Sequence, residues 1–353
     1  MIFIEYPRVF CGTIFAKSPF SCIFCYNGCM EWIMSHQSAL EFWQRTVYND
    51  IPRMKKLRAM KAKAKMTEAD LIKADIFRDF TMPLHVLVAN GNARKVRHNI
   101  YCHTCSKEFP GGSFVQTDTG LIVSSPELCF LQMADELSFV DLVKLGFEIC
   151  GSFRPDKKKG FRNEQPLTSA AKLKAYIDKA VGFYGRKNAL RALRFIIDGS
   201  ASPMETILTM LLTLPYKYGG YGFPKPKLNY RVEVSQKVVN NRFYSANRPS
   251  YYCDLFWPDK KTAVEYDSDE YHTGAYRIEK DAIRRNLLSS EGVTVITVSR
   301  RQLTDAAKMR ELSEILSRLL DKRLVYPAAE FNSRNAELLN QLFPEDSVDK
   351  YLY

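Results

Sequence analysis

Short apolar runs separated by Gly and Asn turns dominate the first half of the chain. They predict strands in "LHVLVAN", "HNIYCHT" and "GSFVQTDTGLIVSS". Two amphipathic runs that each open with Ser predict helices in "SPELCFLQMADEL" and "SFVDLVKLGFEIC". Helical spacing also occurs in "MTEADLIKADIF", and Ser38 marks a helix start in "SHQSALEFWQRT". These patterns predict a small α+β domain over residues 30–150.

Longer helical runs and extended segments alternate in the second half. "SPMETILTMLLTL" predicts a helix with Ser202 as its N-cap. Extended segments are predicted in "LNYRVEV", "YYCDLFW" and "TAVEYD", and the uniformly apolar "VTVITV" predicts a strand buried on both faces. We therefore expect an α/β domain over residues 167–325. Its other predicted helices cover 168–182, 186–198, 278–290 and 308–321.

Charged and turn-forming residues set the expected domain limits. The segment "GSFRPDKKKGFRNEQP" (151–166) is poor in apolar residues, which is typical of a linker or exposed loop. Residues 1–29 share no pattern with the rest of the chain, so we treat them as an extension of uncertain status, with Met30 as a hypothetical translation start. Residues 326–353 are expected to form a C-terminal tail.

Composition excludes a largely disordered chain, because 46% of the 353 residues are apolar and 25% are charged. The net charge of +12 suits a polyanionic partner, since Lys and Arg gain from releasing phosphate counterions. No apolar stretch approaches the roughly 20 residues that cross a bilayer, and the N-terminus lacks the basic-then-apolar order of a secretory peptide. These features predict a cytoplasmic protein with DNA, not a membrane, as its partner.

Nine cysteines raise the question of a metal site. "CIFCYNGC" and "YCHTC" both have close Cys spacing, but zinc needs ligand pairs that converge on one ion. Cys102 and Cys105 fall in a predicted strand, where alternation would point them to opposite sides. We therefore favour reduced thiols over a zinc site.

The segment "PRMKKLRAMKAKAK" (52–65) carries seven basic residues and no acid. It is either a solvated helix face or an arm that faces phosphates, because charge of one sign repels itself unless a partner neutralises it. Under the second interpretation this segment contacts DNA. Its candidate DNA-binding residues are Lys55, Lys56, Arg58, Lys61 and Lys63.

The most informative motif is a predicted hairpin with its loop at Pro258 to Lys261. Antiparallel pairing sets Asp254 opposite Glu265, and strand alternation places Asp267 on the face of Glu265. Three carboxylates on one patch repel one another unless a proton or a cation intervenes, and their oxygens suit Mg²⁺ or Mn²⁺. The alternative is a solvent-facing hairpin whose charges splay apart.

Further residues extend this candidate site. Glu205 is either the acid of a capping box with Ser202 or a fourth acid at the metal. His272 is a candidate proton donor or acceptor, or a surface residue. Arg284 is either the salt-bridge partner of Asp281 one turn away or a ligand for the scissile phosphate.

The order Glu205, Asp254, Glu265-x-Asp267, His272 and Arg284, followed by an apolar strand, resembles the PD-(D/E)XK superfamily, in particular endonuclease-like domains related to the very-short-patch-repair nucleases. The resemblance covers roughly residues 200–320. It implies a restriction-endonuclease-like mixed sheet flanked by helices and metal-dependent phosphodiester hydrolysis. In it, Asp254 and Glu265 are metal ligands, and Asp267 and His272 complete the site.

One position departs from the superfamily pattern. Asp267 stands where a Lys usually follows the second acid, although the related subfamily also has Asp there. The role of that Lys, stabilising the attacking hydroxide, is left without an assigned residue. Lys280 or Arg284 could take this place from the following helix.

Residues 30–150 are similar to type IV abortive-infection antitoxin-like regulators around "SSPELCFLQ". This resemblance implies DNA binding or transcriptional control. Three hypotheses remain open: a metal-dependent DNA endonuclease serving defence against phage or mobile elements, a DNA-binding regulator that retains a nuclease fold without catalysis, and an antitoxin that neutralises a toxin partner. A double-strand break would favour a homodimer.

Overall fold

The computed structural model describes most of the chain as a mixed α/β protein with helices packed on three sheets. This agrees with the expected α/β class. None of the described helices is long and apolar enough to cross a membrane. The described residues are 33–57, 80–88, 99–118, 120–156, 158–234, 250–267, 275–325 and 328–343.

A six-stranded mixed sheet forms the first region, in the order β2-β5-β6-β1-β3-β4. The central strand β1 pairs parallel with β6 and antiparallel with β3, and β3 continues parallel to the edge strand β4. The apolar runs named in the sequence form β3, β4, β5 and β6, because their side chains fill the core beneath the helices, whereas β1 and β2 were not predicted. The strands are β1 Ile33–Met34, β2 Lys55–Leu57, β3 Leu84–Val88, β4 Ile100–Thr104, β5 Phe114–Gln116 and β6 Ile122–Ser124.

Two helices that come after this sheet begin where their Ser caps predict. The Ser125 hydroxyl accepts the amide of Leu128, and the Ser138 hydroxyl accepts the amide of Asp141, so each Ser satisfies a donor that the first turn leaves unpaired. The helices α2 and α3 cover Pro126–Glu136 and Phe139–Cys150.

The first helix begins earlier than the sequence suggests. Helix α1 covers His36–Arg45 with Ser35 at its N-cap, so the prediction of a start at Ser38 is wrong. Ser38 is buried inside the helix, and its hydroxyl accepts the backbone amide of His85 at 2.8 Å. It satisfies a donor of β3 instead of one in its own first turn. The predicted helix in "MTEADLIKADIF" lies outside the described residues.

The charged segment 151–166 contains regular structure. Strands β7 (Phe153–Asp156) and β8 (Gly160–Asn163) form an antiparallel hairpin. Arg154 is only 1% exposed, and its guanidinium donates to the carbonyls of Glu148, Gly151, Phe153 and Gln165. This charge can be buried because backbone oxygens surround it. The charged composition of 151–166 therefore did not indicate a segment without regular structure.

The next two helices pack against α2 and α3 and share the core of the first region. They are α4 (Ala170–Lys179) and α5 (Arg186–Leu193). The domain limits expected from the sequence group them with the residues after them. Their buried Leu173, Ile177, Ala189 and Ala192 instead meet the helices that precede them.

The second region is built on a four-stranded sheet in the order β12-β11-β10-β9. Strands β9, β10 and β11 are antiparallel neighbours, and β12 is parallel to β11. Helix α6 precedes β9, and α7 connects β11 to β12. These elements are α6 Pro203–Thr213, β9 Lys227–Glu233, β10 Ser250–Trp257, β11 Thr262–Asp267, α7 Ala275–Ser290 and β12 Thr294–Ser299.

Strand β12 corrects the expectation for "VTVITV". It lies at the edge of its sheet, and Thr294 and Thr297 are exposed, so the strand is not buried on both faces. Val298 is buried, whereas Val295 and Ile296 are half-buried. An apolar run alone could not reveal that β12 pairs with a single strand among those that the structure describes.

Three helices come after β12, where one helix and a tail were expected. The short α8 (Arg300–Thr304) precedes α9 (Ala306–Leu319), and α10 (Ala328–Leu342) lies in the predicted tail. Helix α10 buries Phe331, Leu338 and Leu342 against the common core. Because these side chains are buried, residues 328–342 form a packed helix within the segment that the sequence predicted as a tail.

Candidate functional site

The hairpin between β10 and β11 has the predicted register. Trp257 pairs with Thr262, Phe256 with Ala263 and Leu255 with Val264, which confirms the alignment drawn from the sequence. A short 3-10 turn over Pro258–Lys260 joins the strands. Asp254 and Glu265 are the next residues along the two strands, one position beyond the last of these pairs.

Asp254 is fixed by its neighbour across the hairpin. Its Oδ2 accepts the backbone amide of Tyr266 at 2.8 Å. Partial burial raises the pKa of Asp254, while this hydrogen bond and the positive charge of Arg284 act in the opposite direction. The other carboxylate oxygen accepts no hydrogen bond from any residue that the structure describes.

Glu205 in the first turn of α6 faces the same site. Its Oε2 accepts the amide of Ala201 and the side-chain Nδ2 of Asn229, both at 2.9 Å. Only 8% of Glu205 is exposed. Burial, followed by the negative charge of Asp254, raises the pKa of Glu205 to about 7.

Both interpretations of Glu205 therefore have a physical basis. Its backbone amide donates to the Ser202 hydroxyl at 3.1 Å, as a capped first turn requires. Its carboxylate reaches Ala201, one residue before the cap, and also interacts with Asp254. The start of α6 thus abuts the hairpin, which was the condition for Glu205 to join the acids.

Asn229 is a site residue that sequence reasoning missed. It lies within β9 but has a left-handed φ of 46°, a conformation that Asn tolerates better than most residues. The pairing of β9 with β10 skips the Asn229–Asp254 position. The available signal was a polar, turn-favouring Asn inside an otherwise strand-like "LNYRVEV".

Arg284 on α7 is the counter-ion of Glu265. Its Nη2 lies 2.7 Å from Glu265 Oε1 and also donates to the carbonyl of Tyr252. The Glu265 side chain is 13% exposed, so the charges attract in a partly dehydrated setting. The alternative partner, Asp281, has no described side chain.

The other predicted residues are less closely grouped. Asp267 is exposed at the end of β11, opposite Ser299 of β12. The ligand atoms of Asp254, Glu265 and Asp267 do not all lie within 4.8 Å of one another, so shared metal ligation by this trio stays a prediction. His272 and the side chain of Lys280 lie outside the part of the chain that the structure describes.

Two of the five candidate DNA-binding residues can be placed. Lys55 and Lys56 are exposed on β2, at the edge of the six-stranded sheet. This part of the basic segment is therefore a strand and not a helix face. Arg58, Lys61 and Lys63 lie outside the described residues.

A histidine cluster lies at the opposite edge of that sheet. His36 and His103 stack with ring centroids 3.4 Å apart and planes 10° from parallel. His85 Nδ1 and His103 Nε2 are 2.9 Å apart, a hydrogen-bonding distance. Three of the five histidines in the chain meet here, although the sequence separates them widely.

Burial favours the neutral forms of His36 and His85. Burial and then the neighbouring His103 and His85 lower the pKa of His36 to about 2, and burial also lowers the pKa of His85. Among the described residues, His36, His103 and Glu136 are the group whose possible metal-ligating atoms all lie within 4.8 Å of one another.

A cavity of about 240 Å³ adjoins the cluster, and both His36 and His103 line it. Cys102 and Cys105 also line this cavity as free thiols. Strand β4 ends at Thr104, so strand alternation does not set the direction of Cys105, and the expectation that the two thiols face opposite sides stays a prediction.

Comparisons of this chain with protein-family models, curated proteins and solved structures find no match. Any assignment of function therefore depends on the geometry of these residues.

Proposed function

We propose that this protein is a metal-dependent endonuclease that hydrolyses DNA phosphodiester bonds, acting in defence against phage or mobile elements. The observation that carries the proposal is that Glu205 of α6 lies beside Asp254 of β10, with Glu265 one position beyond the paired residues of the neighbouring strand β11. The ligand atoms of these three acids do not all lie within 4.8 Å of one another, so a shared ion would draw them closer. Acids that share a partly buried site favour a cation, because like charges raise one another's cost of ionisation.

The order of elements supports the PD-(D/E)XK assignment. The series runs from α6 to β12. It begins with a helix and three antiparallel strands, and a second helix then connects the third strand to a fourth strand parallel to it. A mixed sheet flanked by helices is the architecture that the sequence resemblance implies. The acids occupy the helix, the second strand and the third strand of that series, as the resemblance also implies.

The donor set fits Mg²⁺ or Mn²⁺. Both ions prefer hard oxygen ligands, and Asp254 offers a carboxylate oxygen that accepts no hydrogen bond from the described residues. Glu205 is buried beside it, and burial and the charge of Asp254 raise the pKa of Glu205, so a bound cation would favour the ionised form of this acid. A bound divalent ion would act as a Lewis acid and acidify a water molecule.

The remaining residues position these acids. The backbone amide of Tyr266 donates to Asp254 and the side chain of Asn229 donates to Glu205, so each carboxylate has one oxygen fixed by a neighbouring strand. Arg284 orients Glu265 and carries positive charge to the site, where a phosphate would also be attracted. In the structure Arg284 binds Glu265. If Glu265 were bound to a metal ion, the guanidinium of Arg284 would be available to the scissile phosphate.

Plasmid cleavage tests the proposal. Purified protein with Mg²⁺ or Mn²⁺ should produce nicks or breaks that EDTA abolishes. Asp254→Asn and Glu265→Gln should each lower the rate by about 100-fold or more, because even indirect partners of metal ligands contribute about 10–100-fold. Asp259→Asn is the matched control, since Asp259 is exposed in the turn of the same hairpin. Equal cleavage rates for Glu265→Gln and wild type would refute the proposal that this protein is a metal-dependent endonuclease.

The Glu265–Arg284 ion pair favours a second candidate, a DNA-binding regulator or antitoxin that retains a nuclease fold. Here Arg284 neutralises Glu265 permanently, and position 267 holds Asp instead of Lys. Such a protein would bind duplex DNA, or a toxin partner, with no cleavage at any concentration of Mg²⁺ or Mn²⁺.

A further inference from the structure

We infer that His36, His103 and Glu136 form a binding site for a divalent transition-metal ion of the Zn²⁺ class, separate from the carboxylate site. Two imidazole nitrogens and one carboxylate are ligands that zinc accepts, usually with a fourth position left for water or substrate. Imidazole ligands also distinguish this site from the hard-oxygen site on the other sheet, which suits Mg²⁺.

Three separate elements bring the ligands together. His36 is the first residue of α1, His103 lies on β4, and Glu136 is the last residue of α2. Their candidate ligand atoms all lie within 4.8 Å of one another. Atoms bound to a tetrahedral zinc ion are about 3.4 Å apart, and the ion lies in the plane of each imidazole that binds it. Binding therefore requires at least one of the stacked rings of His36 and His103 to turn out of its parallel arrangement.

The backbone at His36 is held in an uncommon conformation. Its φ is 49°, in the left-handed region that residues other than Gly rarely adopt. The His36 amide donates to Gln132 Oε1 at 3.2 Å, and Cys129 Sγ lies 3.6 Å from the His36 carbonyl. Both contacts come from α2, the helix that ends in Glu136. The fold thus fixes His36 relative to the third ligand, as pre-organised sites require.

His85 has the position of an outer partner. Metal-bound imidazoles commonly use their second nitrogen in a hydrogen bond that fixes the ring and its tautomer. His85 is within hydrogen-bonding distance of His103, and β3 and β4 keep the two side chains adjacent. The cluster thus contains two imidazole ligands, His36 and His103, and a third histidine, His85, that can orient His103 by a hydrogen bond.

The cavity would let a small ligand reach a metal ion bound to His36 and His103. His36 and His103 both line the 240 Å³ space, which is large enough for several water molecules or a small molecule. Its wall also contains Gln132, Asp135 and Tyr184. These polar groups would contact whatever occupies the fourth position on the metal.

Metal titration of the full chain tests this inference. Protein stripped with a chelator and dialysed is titrated with Zn²⁺ against a chromophoric chelator, in the presence of excess Mg²⁺. We expect one tightly bound Zn²⁺ per chain that Mg²⁺ does not displace. Replacement by Co²⁺ should give the visible absorption of a low-symmetry site with nitrogen and oxygen ligands.

Variants assign the ligands. His103→Gln and Glu136→Gln should each weaken Zn²⁺ binding by at least about 100-fold, since outer partners alone contribute about 10–100-fold. Glu136 is exposed, so its variant should fold normally, as circular dichroism can verify. Asp118→Asn changes an exposed acid outside the cavity lining and should bind Zn²⁺ as wild type does. Asp254→Asn should also keep full Zn²⁺ affinity, which separates this site from the proposed nuclease.

Three results would overturn the inference. The first is folded wild-type protein that binds no stoichiometric Zn²⁺. The second is unchanged affinity in both folded ligand variants. The third is loss of Zn²⁺ binding in a Cys102→Ser, Cys105→Ser double variant together with retention in Glu136→Gln, which would assign the ion to the thiols of the same cavity.

Discussion

The carboxylate site and the histidine cluster differ in how the chain assembles them. Asp254 and Glu265 lie on adjacent strands of one hairpin, and local pairing decides their separation. His36, His103 and Glu136 are far apart in sequence and meet only where α1, β4 and α2 pack together. A site of the first kind is visible as a motif, whereas a site of the second kind is not.

The two sites also handle charge differently. Arg284 supplies positive charge to Glu265, and Glu205 responds to burial and to Asp254 with a pKa raised to about 7. In the histidine cluster, burial lowers the pKa values of His36 and His85 and so favours their neutral forms. Acids that must be neutralised favour a hard cation, whereas neutral imidazoles favour a softer ion.

The largest effect that would sharpen this comparison is expected from Arg284→Met. Without Arg284, the partly buried Glu265 has lost its charge-assisted hydrogen bond, so the free energy of unfolding should fall by about 2 kcal/mol in EDTA. Added Mg²⁺ should restore more stability to this variant than to wild type, because the ion replaces the lost positive charge. Chemical denaturation with and without Mg²⁺ measures both changes.

Arg285→Met is the control for this experiment, because Arg285 is an exposed neighbour on the same helix. It should change neither stability nor the response to Mg²⁺. If Mg²⁺ stabilises neither Arg284→Met nor wild type, the carboxylates do not form a metal site, and the contrast between the two sites disappears.

A smaller effect is expected from Glu205→Gln. An acid whose pKa is raised from 4.5 to about 7 by folding binds a proton more tightly in the native state. Its contribution to stability is therefore complete below pH 4.5 and is lost as the pH rises through 7. The Gln variant lacks this loss, so its melting temperature should exceed that of wild type by a few degrees at pH 8 and approach it near pH 5.

Thermal melts across this pH range, recorded in EDTA, measure the effect. Glu233→Gln is the control, because Glu233 is exposed on the same sheet. Parallel pH profiles for Glu205→Gln and wild type would show that Asp254 and burial do not act on Glu205 as the structure indicates.

The smallest effect concerns Lys55 and Lys56 on the edge strand β2. If both contact phosphates, the double Ala variant should reduce the slope of log affinity against log salt by about 0.9 for each contact. Fluorescence anisotropy with duplex DNA measures that slope. Lys158 and Lys159, an exposed pair in the β7–β8 turn, provide the matched control. An unchanged slope would exclude this strand from DNA binding.

Local signals in the sequence were reliable where one segment carried them completely. Ser125, Ser138 and Ser202 each accept an amide in the first turn of the helix they were expected to cap. The hairpin register came from strand alternation and a short loop. In each case the deciding interactions lie within a few residues or one strand pair.

Predictions failed where a distant partner decided the outcome. Ser38 accepts the backbone amide of His85 in β3, 47 residues along the chain. Strand β12 is partly exposed because it lies at the edge of its sheet. Helix α10 packs on the fold because its Phe331 is buried in the core. None of these contacts leaves a mark in the local pattern.

The sequence by itself therefore determined which of its strongly patterned segments are strands and which are helices, and it located the caps of α2, α3 and α6. It also placed Asp254 and Glu265 on the paired strands of one hairpin. Interactions between near neighbours, along the chain or across one strand pair, govern all of these features. Only the tertiary structure decided that Arg284 lies on Glu265, that Asn229 reaches Glu205, and that His36 stacks on His103. Those contacts join elements separated by long stretches of chain, and burial of the common core brings them together.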